Sequence, residues 1–179
     1  FSIDTNPHRT LVAIGAMRVF LDVAPSSLWL LDVRKGELIP APDSASSTLA
    51  VAFSPDGETL ATGDADGLVR IWMVPDLQPV LSYNEGTGVN TVLFTPDGKA
   101  VIFGTLDGSL KLGRLDGQIE VQMLRRFQSG VVTAALSPDG NMLAVASGDG
   151  RIRIWRRSSE RMKPGVYGRI DLTACPMFA

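Results

Sequence analysis

Phe53-Ser54-Pro55-Asp56-Gly57-Glu58-Thr59-Leu60-Ala61-Thr62-Gly63-Asp64-Ala65-Asp66-Gly67-Leu68-Val69-Arg70-Ile71-Trp72 holds two turn signals between short apolar runs, and its reading decides the fold. In Ser54-Pro55-Asp56-Gly57, Pro at the second position presets the backbone for a turn and Asp can bond the backbone two positions on. Gly supplies the left-handed conformation that closes a hairpin. Asp66-Gly67 is a second short hairpin signal. The runs around them are rich in Val, Ile, Leu and Phe, and Val51 and Phe53 alternate at strand period two. The expected unit is strand, turn, strand, turn, strand, followed by a looser segment with room for a fourth strand.

The same phrase recurs downstream. Thr95-Pro96-Asp97-Gly98 and Ser137-Pro138-Asp139-Gly140 repeat it, so that Pro55, Pro96 and Pro138 stand at nearly equal intervals. The register persists through Leu60, Val101 and Leu143, then Asp66-Gly67, Asp107-Gly108 and Asp149-Gly150. It continues through Val69-Arg70-Ile71-Trp72, Leu110-Lys111-Leu112-Gly113 and Ile152-Arg153-Ile154-Trp155. A fixed period of this size marks a repeat architecture. A degraded copy lies upstream. Leu28-Trp29-Leu30-Leu31-Asp32-Val33 precedes Val69–Val74 by one such period, whereas Leu11–Gly15, aligned on Leu11 and Leu60, precedes its counterpart by more than one. A longer second hairpin loop within 16–27 follows from that difference, and Thr5-Asn6-Pro7-His8 stands as the first turn. Val166–Leu172 alternates like the first strand of a fifth unit.

These residues resemble the WD-repeat β-propeller family, whose blades are four-stranded sheets of roughly 40 to 45 residues around a channel. The likeness covers residues 1–157 and rests on F-S-P-D-G, T-L-A-T-G and D-G-L-V-R-I-W in the second unit and V-A-S-G-D-G-R-I-R-I-W in the fourth. It implies an all-β chain of about four blades of four antiparallel strands, as an incomplete ring or part of a larger propeller. The units are 1–41, 42–82, 83–123 and 124–157, with 158–179 a tail or the start of a further blade. Trp72 and Trp155 stand where the family has its Trp, whereas Leu31 and Gly113 replace it elsewhere, and only Asp32 supplies the acid that should follow. Glu85 and Phe127 occupy the family's His positions. Asp66, Asp107 and Asp149 match its Asp position and, without the His, are expected to serve their own turns.

Composition excludes most chemistry. The chain has 45% hydrophobic residues and no apolar run of membrane-spanning length, so a soluble globular chain without a transmembrane segment or membrane partner is expected. No leader is expected from the first residues. The first residue is Phe1, so the chain is read as processed, trimmed or a piece of something longer. One Cys, Cys175, and one His, His8, exclude a structural zinc site, which needs four such ligands. A lone cysteine leans to a reducing compartment, hence a cytoplasmic location. His8 has no nucleophile beside it and is read as a surface imidazole. The glycines fall in hairpin turns, not between a strand and a helix, and no nucleophile elbow is present. No catalytic residue, cofactor or metal is therefore expected.

Binding remains, on the second-turn face. Tyr83, Glu85, Arg125, Arg126 and Phe127 are the candidate partner-binding residues, because aromatic and Arg side chains are enriched at binding hot spots. The alternative for Phe127 is packing between blades. Residues 1–120 hold 8 Lys and Arg against 15 Asp and Glu, and residues 121–179 hold 9 against 4. The basic excess reads either as a solvated outer strand or as a patch for an acidic partner, and the lack of interleaved aromatics argues against nucleic acid. The functional expectation is a protein-interaction scaffold or docking module without intrinsic catalysis. Two alternatives are carried: the propeller portion of a larger peptidase- or kinase-associated enzyme or sensor, or a half ring that functions after oligomerisation. The ring would be completed by covalent continuation in a longer chain or by a second copy.

Overall fold

The Pro-Asp-Gly turns close as their chemistry dictates. In each, the hydroxyl at the first position donates to the Asp at the third: Ser54 to Asp56 at 2.6 Å, Thr95 to Asp97 at 2.6 Å and Ser137 to Asp139 at 2.5 Å. The same carboxylates accept the backbone N–H two positions on, from Glu58, Lys99 and Asn141. Gly57, Gly98 and Gly140 take φ of 70°, 68° and 69°, which only glycine adopts without strain. These bonds favour the charged carboxylate, so all three aspartates are held below the usual range, Asp139 down to about 2.

The computed structural model describes residues 1–17, 26–42, 46–117, 119–156 and 168–170, and among these there is no helix. Strands β1 (Ser2–Thr5), β2 (Leu11–Gly15), β3 (Leu28–Asp32) and β4 (Glu37–Pro40) form the first sheet. The second holds β5 (Thr48–Phe53), β6 (Thr59–Asp64), β7 (Leu68–Met73) and β8 (Gln78–Asn84). The third holds β9 (Val89–Phe94), β10 (Ala100–Thr105), β11 (Ser109–Leu115) and β12 (Ile119–Arg126). The fourth holds β13 (Val131–Leu136), β14 (Met142–Ser147), β15 (Arg151–Arg156) and β16 (Gly168–Ile170). Each is an antiparallel meander in chain order.

Strand alternation gives each inner sheet two apolar flanks, one for each neighbour. Leu28 and Leu30 meet Val51, Leu60 and Trp72 in a core between the first and second sheets. Ala61, Val69 and Ile71 meet Val89, Val92 and Phe103 between the second and third. Ile102, Leu110 and Leu112 meet Leu143, Val145 and Trp155 between the third and fourth. Four sheets thus share three cores, and the arc does not close into a ring. Each fully buried Leu or Val contributes on the order of 1.5–3 kcal/mol relative to exposure.

Close approach of the sheets depends on one glycine per interface. A Cβ on Gly63 would stand 2.6 Å from Val89 Cγ1, one on Gly15 3.0 Å from Thr48 Cγ2, and one on Gly104 would collide with Val131. The first strands lie side by side along the inner edge, where side chains bridge what backbones cannot. Phe53 N donates to Asp4 Oδ2 at 2.7 Å, Val51 N to Ser2 Oγ at 3.1 Å and Ala134 N to Thr91 Oγ1 at 3.3 Å.

Two details of the sequence reading shift, and a third lies mostly outside the described residues. Gly15 pairs with Leu28 as Gly63 pairs with Val69, so the degraded unit aligns Gly15 on Gly63 and Leu11 on Thr59, one position away from the match of Leu11 to Leu60. An apolar run fixes no register by itself, whereas the glycine required at the interface does. Most of the longer loop expected within 16–27 lies outside the described residues. Gly168–Ile170 pairs with β15 through Ile154, Trp155 and Arg156 and is the fourth strand of the fourth sheet, not the opening of a fifth unit. Alternation marks a strand but not its place in the meander.

His8 finds its role in the first turn. Its Nε2 donates to Pro55 O at 3.0 Å, Asn6 Nδ2 donates to Gly57 O at 2.8 Å, and Arg9 pairs with Glu58 at 2.7 Å. The degraded turn is docked onto the intact turn of the next sheet.

Candidate protein-interaction face

At the opposite end, the second hairpin turns and the loops between sheets are knitted together by the backbone. Ala65, Leu106 and Gly148 donate their N–H to Ser47, Gly88 and Gly130 at 2.9, 2.8 and 2.9 Å, tying each turn to the loop entering its own sheet. Glu85 and Phe127 donate to Gly67 and Gly108 at 2.9 and 2.8 Å, tying the next loop to the turn before it. A Cβ on Gly67 or Gly108 would press on backbone at 2.7 or 2.6 Å, and their φ values are 90° and 88°, so these contacts need glycine. The result is a rigid frame for exposed side chains, the setting in which binding residues are usually carried.

Asp107 and Asp149 serve their turns as expected. Asp107 accepts from Thr105 Oγ1 and Ser109 N, and Asp149 accepts from the Arg153 guanidinium, Ser147 Oγ and Arg151 N, which holds both carboxyls below the usual range. Asp66 does not follow. The hydroxyl of Thr105 and Ser147 is replaced there by a second acid, Asp64, which when ionised cannot donate to Asp66. Asp64 instead turns inward to an ion pair with Arg70, and Asp66 is left exposed. Burial, opposed by Arg70, pushes the Asp64 carboxyl up to about 6.

Arg70, Lys111 and Arg153 occupy one position on the third strand of three sheets, yet each takes a different acid. Arg70 takes Asp64, Lys111 takes the buried Glu85, and Arg153 takes Asp149 at 2.7 Å. The aromatic partners vary too. Trp72 donates Nε1–H to Thr62 Oγ1 at 3.0 Å, with Arg70 5.9 Å from its ring centroid. Phe127 meets the indole of Trp155 edge-on, under Arg153 at 5.4 Å.

The five candidates therefore divide. Arg125 and Arg126 are exposed, and Arg126 pairs with Asp107 at 3.2 Å. Phe127 is 8% exposed and belongs to the core between the third and fourth sheets, the packing alternative weighed for it above. Tyr83 is half-buried on Phe103, with centroids 6.0 Å apart, and burial and the Glu85 charge push its hydroxyl up. Glu85 is buried against Lys111. Leu106, 53% exposed at the tip of the third sheet's turn, belongs to this face by its position in the repeat but is not among the five candidates. Its signal was present: the equivalent positions hold Ala65 and Gly148, so a large apolar residue there needs a reason. Among the described residues, no group of three or more His, Cys, Asp and Glu is placed to hold a metal ion, and no helix is long and apolar enough to cross a membrane.

Four-stranded meanders packed flank to flank with latched turns define an arc of β-propeller blades. The family model of the WD domain, G-beta repeat, matches residues 41–73, 77–112 and 120–156, more than half of the chain, and the chain belongs to the WD40 family. The first sheet lies outside those matches but has the same meander. The chain is 32% identical over 156 residues to the WD repeat-containing protein SL1-17 of Schistosoma mansoni, covering 86% of this chain and 49% of that protein. It is 35% identical over 112 residues to Periodic tryptophan protein 2 of Saccharomyces cerevisiae, covering 59% of this chain and 12% of that one. With the small ribosomal subunit protein RACK1y of Oryza sativa it shares 29% over 116 residues, 61% and 34% of the two chains. The chain thus spans about half the length of the first relative and less of the others. A chain in the crystal structure of a mitotic checkpoint complex superposes with a TM-score of 0.68 at 22% identity, over 83% of this chain and 44% of that one, a likeness of fold.

Proposed function

We propose that the chain is a protein-interaction scaffold of WD-repeat type, without catalysis of its own, and that its second-turn face is the docking surface. The observation that carries this reading is the latched frame of turns and loops presenting Leu106, Arg125 and Arg126 to solvent. A photo-crosslinking residue at Leu106, compared with one at exposed Lys99 beside the Pro-Asp-Gly turns, tests it in cells that make the protein. Discrete adducts from position 106 and none from position 99 are expected. The same adducts from both positions, or none from 106, would remove this face.

A second reading concerns the flanks. Ile3 is 66% exposed where its equivalent Val51 is 7%, and Ile152 is 37% exposed where its equivalent Val69 is fully buried. Flanks of this kind are unstable in water unless covered. The covering blades come either from a longer parent, consistent with the half-length match to the Schistosoma protein, or from a second copy. Light scattering on the purified chain separates these: twice the chain's mass supports the second copy, and a well-folded monomer excludes it.

A further inference from the structure

Within the second, third and fourth sheets, the acids at the second-turn end are mostly spent inside the molecule. Asp64 is held by Arg70, Glu85 by Lys111, Asp107 by Arg126 at 3.2 Å and Asp149 by Arg153 at 2.7 Å. What is left over on the third and fourth sheets has one sign. Arg125 and Arg151 are exposed, and neither guanidinium has an ion pair or hydrogen bond among the described residues. Arg125 lies opposite Leu110 on β11, one position in from the Thr105–Ser109 turn, and Arg151 lies opposite Ser147 at the matching turn of the next sheet. Asp66, which has no ion pair among the described residues, sits a sheet away on the second blade.

Leu106 lies at the tip of the third sheet's turn, between the loops entering the third and fourth sheets. A Cβ on Gly88 would stand 2.6 Å from its Cδ1, and one on Gly130 would stand 2.6 Å from its carbonyl oxygen. Both loops approach without side chains, which leaves the leucine proud of a glycine-lined surface. The aromatics of this face offer no stacking platform, since Phe127 is covered by Arg153 and Tyr83 is packed on Phe103.

Resting on the interaction-face reading above, we propose that the turn end of the third and fourth blades binds an acidic peptide segment bearing a large aliphatic side chain. Its carboxylates pair with Arg125 and Arg151, and its aliphatic group covers Leu106. Arg forks match carboxylates bidentately, and an apolar contact beside them shields the pairs from water. Single-stranded nucleic acid would need the same cations together with exposed aromatics, and the aromatics are covered.

The test uses the whole chain, immobilised against a random dodecapeptide display library, with the enriched peptides and a single-stranded oligonucleotide measured by fluorescence anisotropy. Enriched sequences are expected to carry net negative charge and at least one Leu, Ile, Met or Phe. Their affinity should fall at least tenfold in Arg125→Glu/Arg151→Glu, severalfold in Leu106→Ser, and not at all in Lys99→Glu on the opposite end. All four sites are exposed, and matched thermal melts confirm the fold. No enrichment, or acidic peptides indifferent to the arginines, overturns the proposal. Neutral peptides lost on Leu106→Ser overturn the acidic class and leave the interaction face standing. An oligonucleotide that competes equally and ignores Leu106→Ser assigns the arginines to phosphate instead.

Discussion

Phe127 meets Trp155 edge to face, with ring centroids 5.9 Å apart and planes at 72°, where the family pattern would place a histidine. The phenyl ring fills the junction between the third and fourth sheets while Arg153 covers its outer side. A buried aromatic so placed belongs to stability first. Phe127→Ala is expected to cost about 3–5 kcal/mol and Phe127→Leu less than about 1.5 kcal/mol, measured by urea denaturation. Equal, small losses for both would mean that the junction tolerates a cavity there.

Gly104 and Gly148 make a matched pair for the close approach of sheets. Gly104→Ala pushes a methyl into Val131, and overpacking of this kind costs about 1–3 kcal/mol. A Cβ on Gly148 meets nothing nearer than Ser129 Cβ at 3.5 Å, so Gly148→Ala should stay within about 0.5 kcal/mol of the parent. Thermal melts of the two variants in parallel decide this. A Gly148 variant as unstable as the Gly104 variant would show that the cost lies in the backbone, not in the contact.

Much of this architecture was legible because it is local. Ser54-Pro55-Asp56-Gly57 and Asp107-Gly108 encode their own bonds, and the repeat carries those turns through the chain. The site was less legible because it is made where one sheet hands over to the next. Whether Phe127 faces solvent or Trp155 depends on β15, the third strand of the following sheet, and whether Glu85 is free depends on Lys111 on β11, the third strand of the sheet that Glu85 leads into. Asp64 and Asp66 show the same limit inside one turn. Asp66 reads as a turn aspartate, and the carboxylate of Asp64 in place of a hydroxyl donor turns inward and leaves Asp66 exposed. Gly168–Ile170 alternates as a strand should, yet nothing in alternation distinguishes the last strand of one blade from the first of another.

Glu85 and Lys111 form a buried pair across the junction of the second and third sheets, and Glu85 Oε2 has no hydrogen-bond partner among the described residues. Removing one partner strands a charge. Lys111→Met alone is expected to cost about 3–5 kcal/mol, whereas Glu85→Leu/Lys111→Met should recover most of that loss, because a packed apolar pair replaces a buried ion pair at little cost. The coupling energy from the double-mutant cycle checks it. Additive losses would mean that the two side chains act independently.

Asp64 sets a pH dependence opposite in sign to that of the turn aspartates. Burial raises its carboxyl from the usual 3.8 to about 6 in the folded chain, so between those values the folded state holds a proton that the unfolded state has released. Its stabilising share is complete below about pH 4 and is lost as pH rises through about 6. Asp56, Asp97, Asp107, Asp139 and Asp149 are shifted downwards, so their share is present above about pH 4 and lost as pH falls. Asp64→Asn removes the first dependence and keeps the second. The stability of the parent relative to Asp64→Asn should therefore fall by up to about 3 kcal/mol between pH 4 and pH 7, read from urea midpoints at four or five pH values. Any pH-independent cost of the amide drops out of that slope. A flat difference across the range would show that Arg70 compensates the burial of Asp64 in full, and that the carboxylate is ionised in the folded chain throughout.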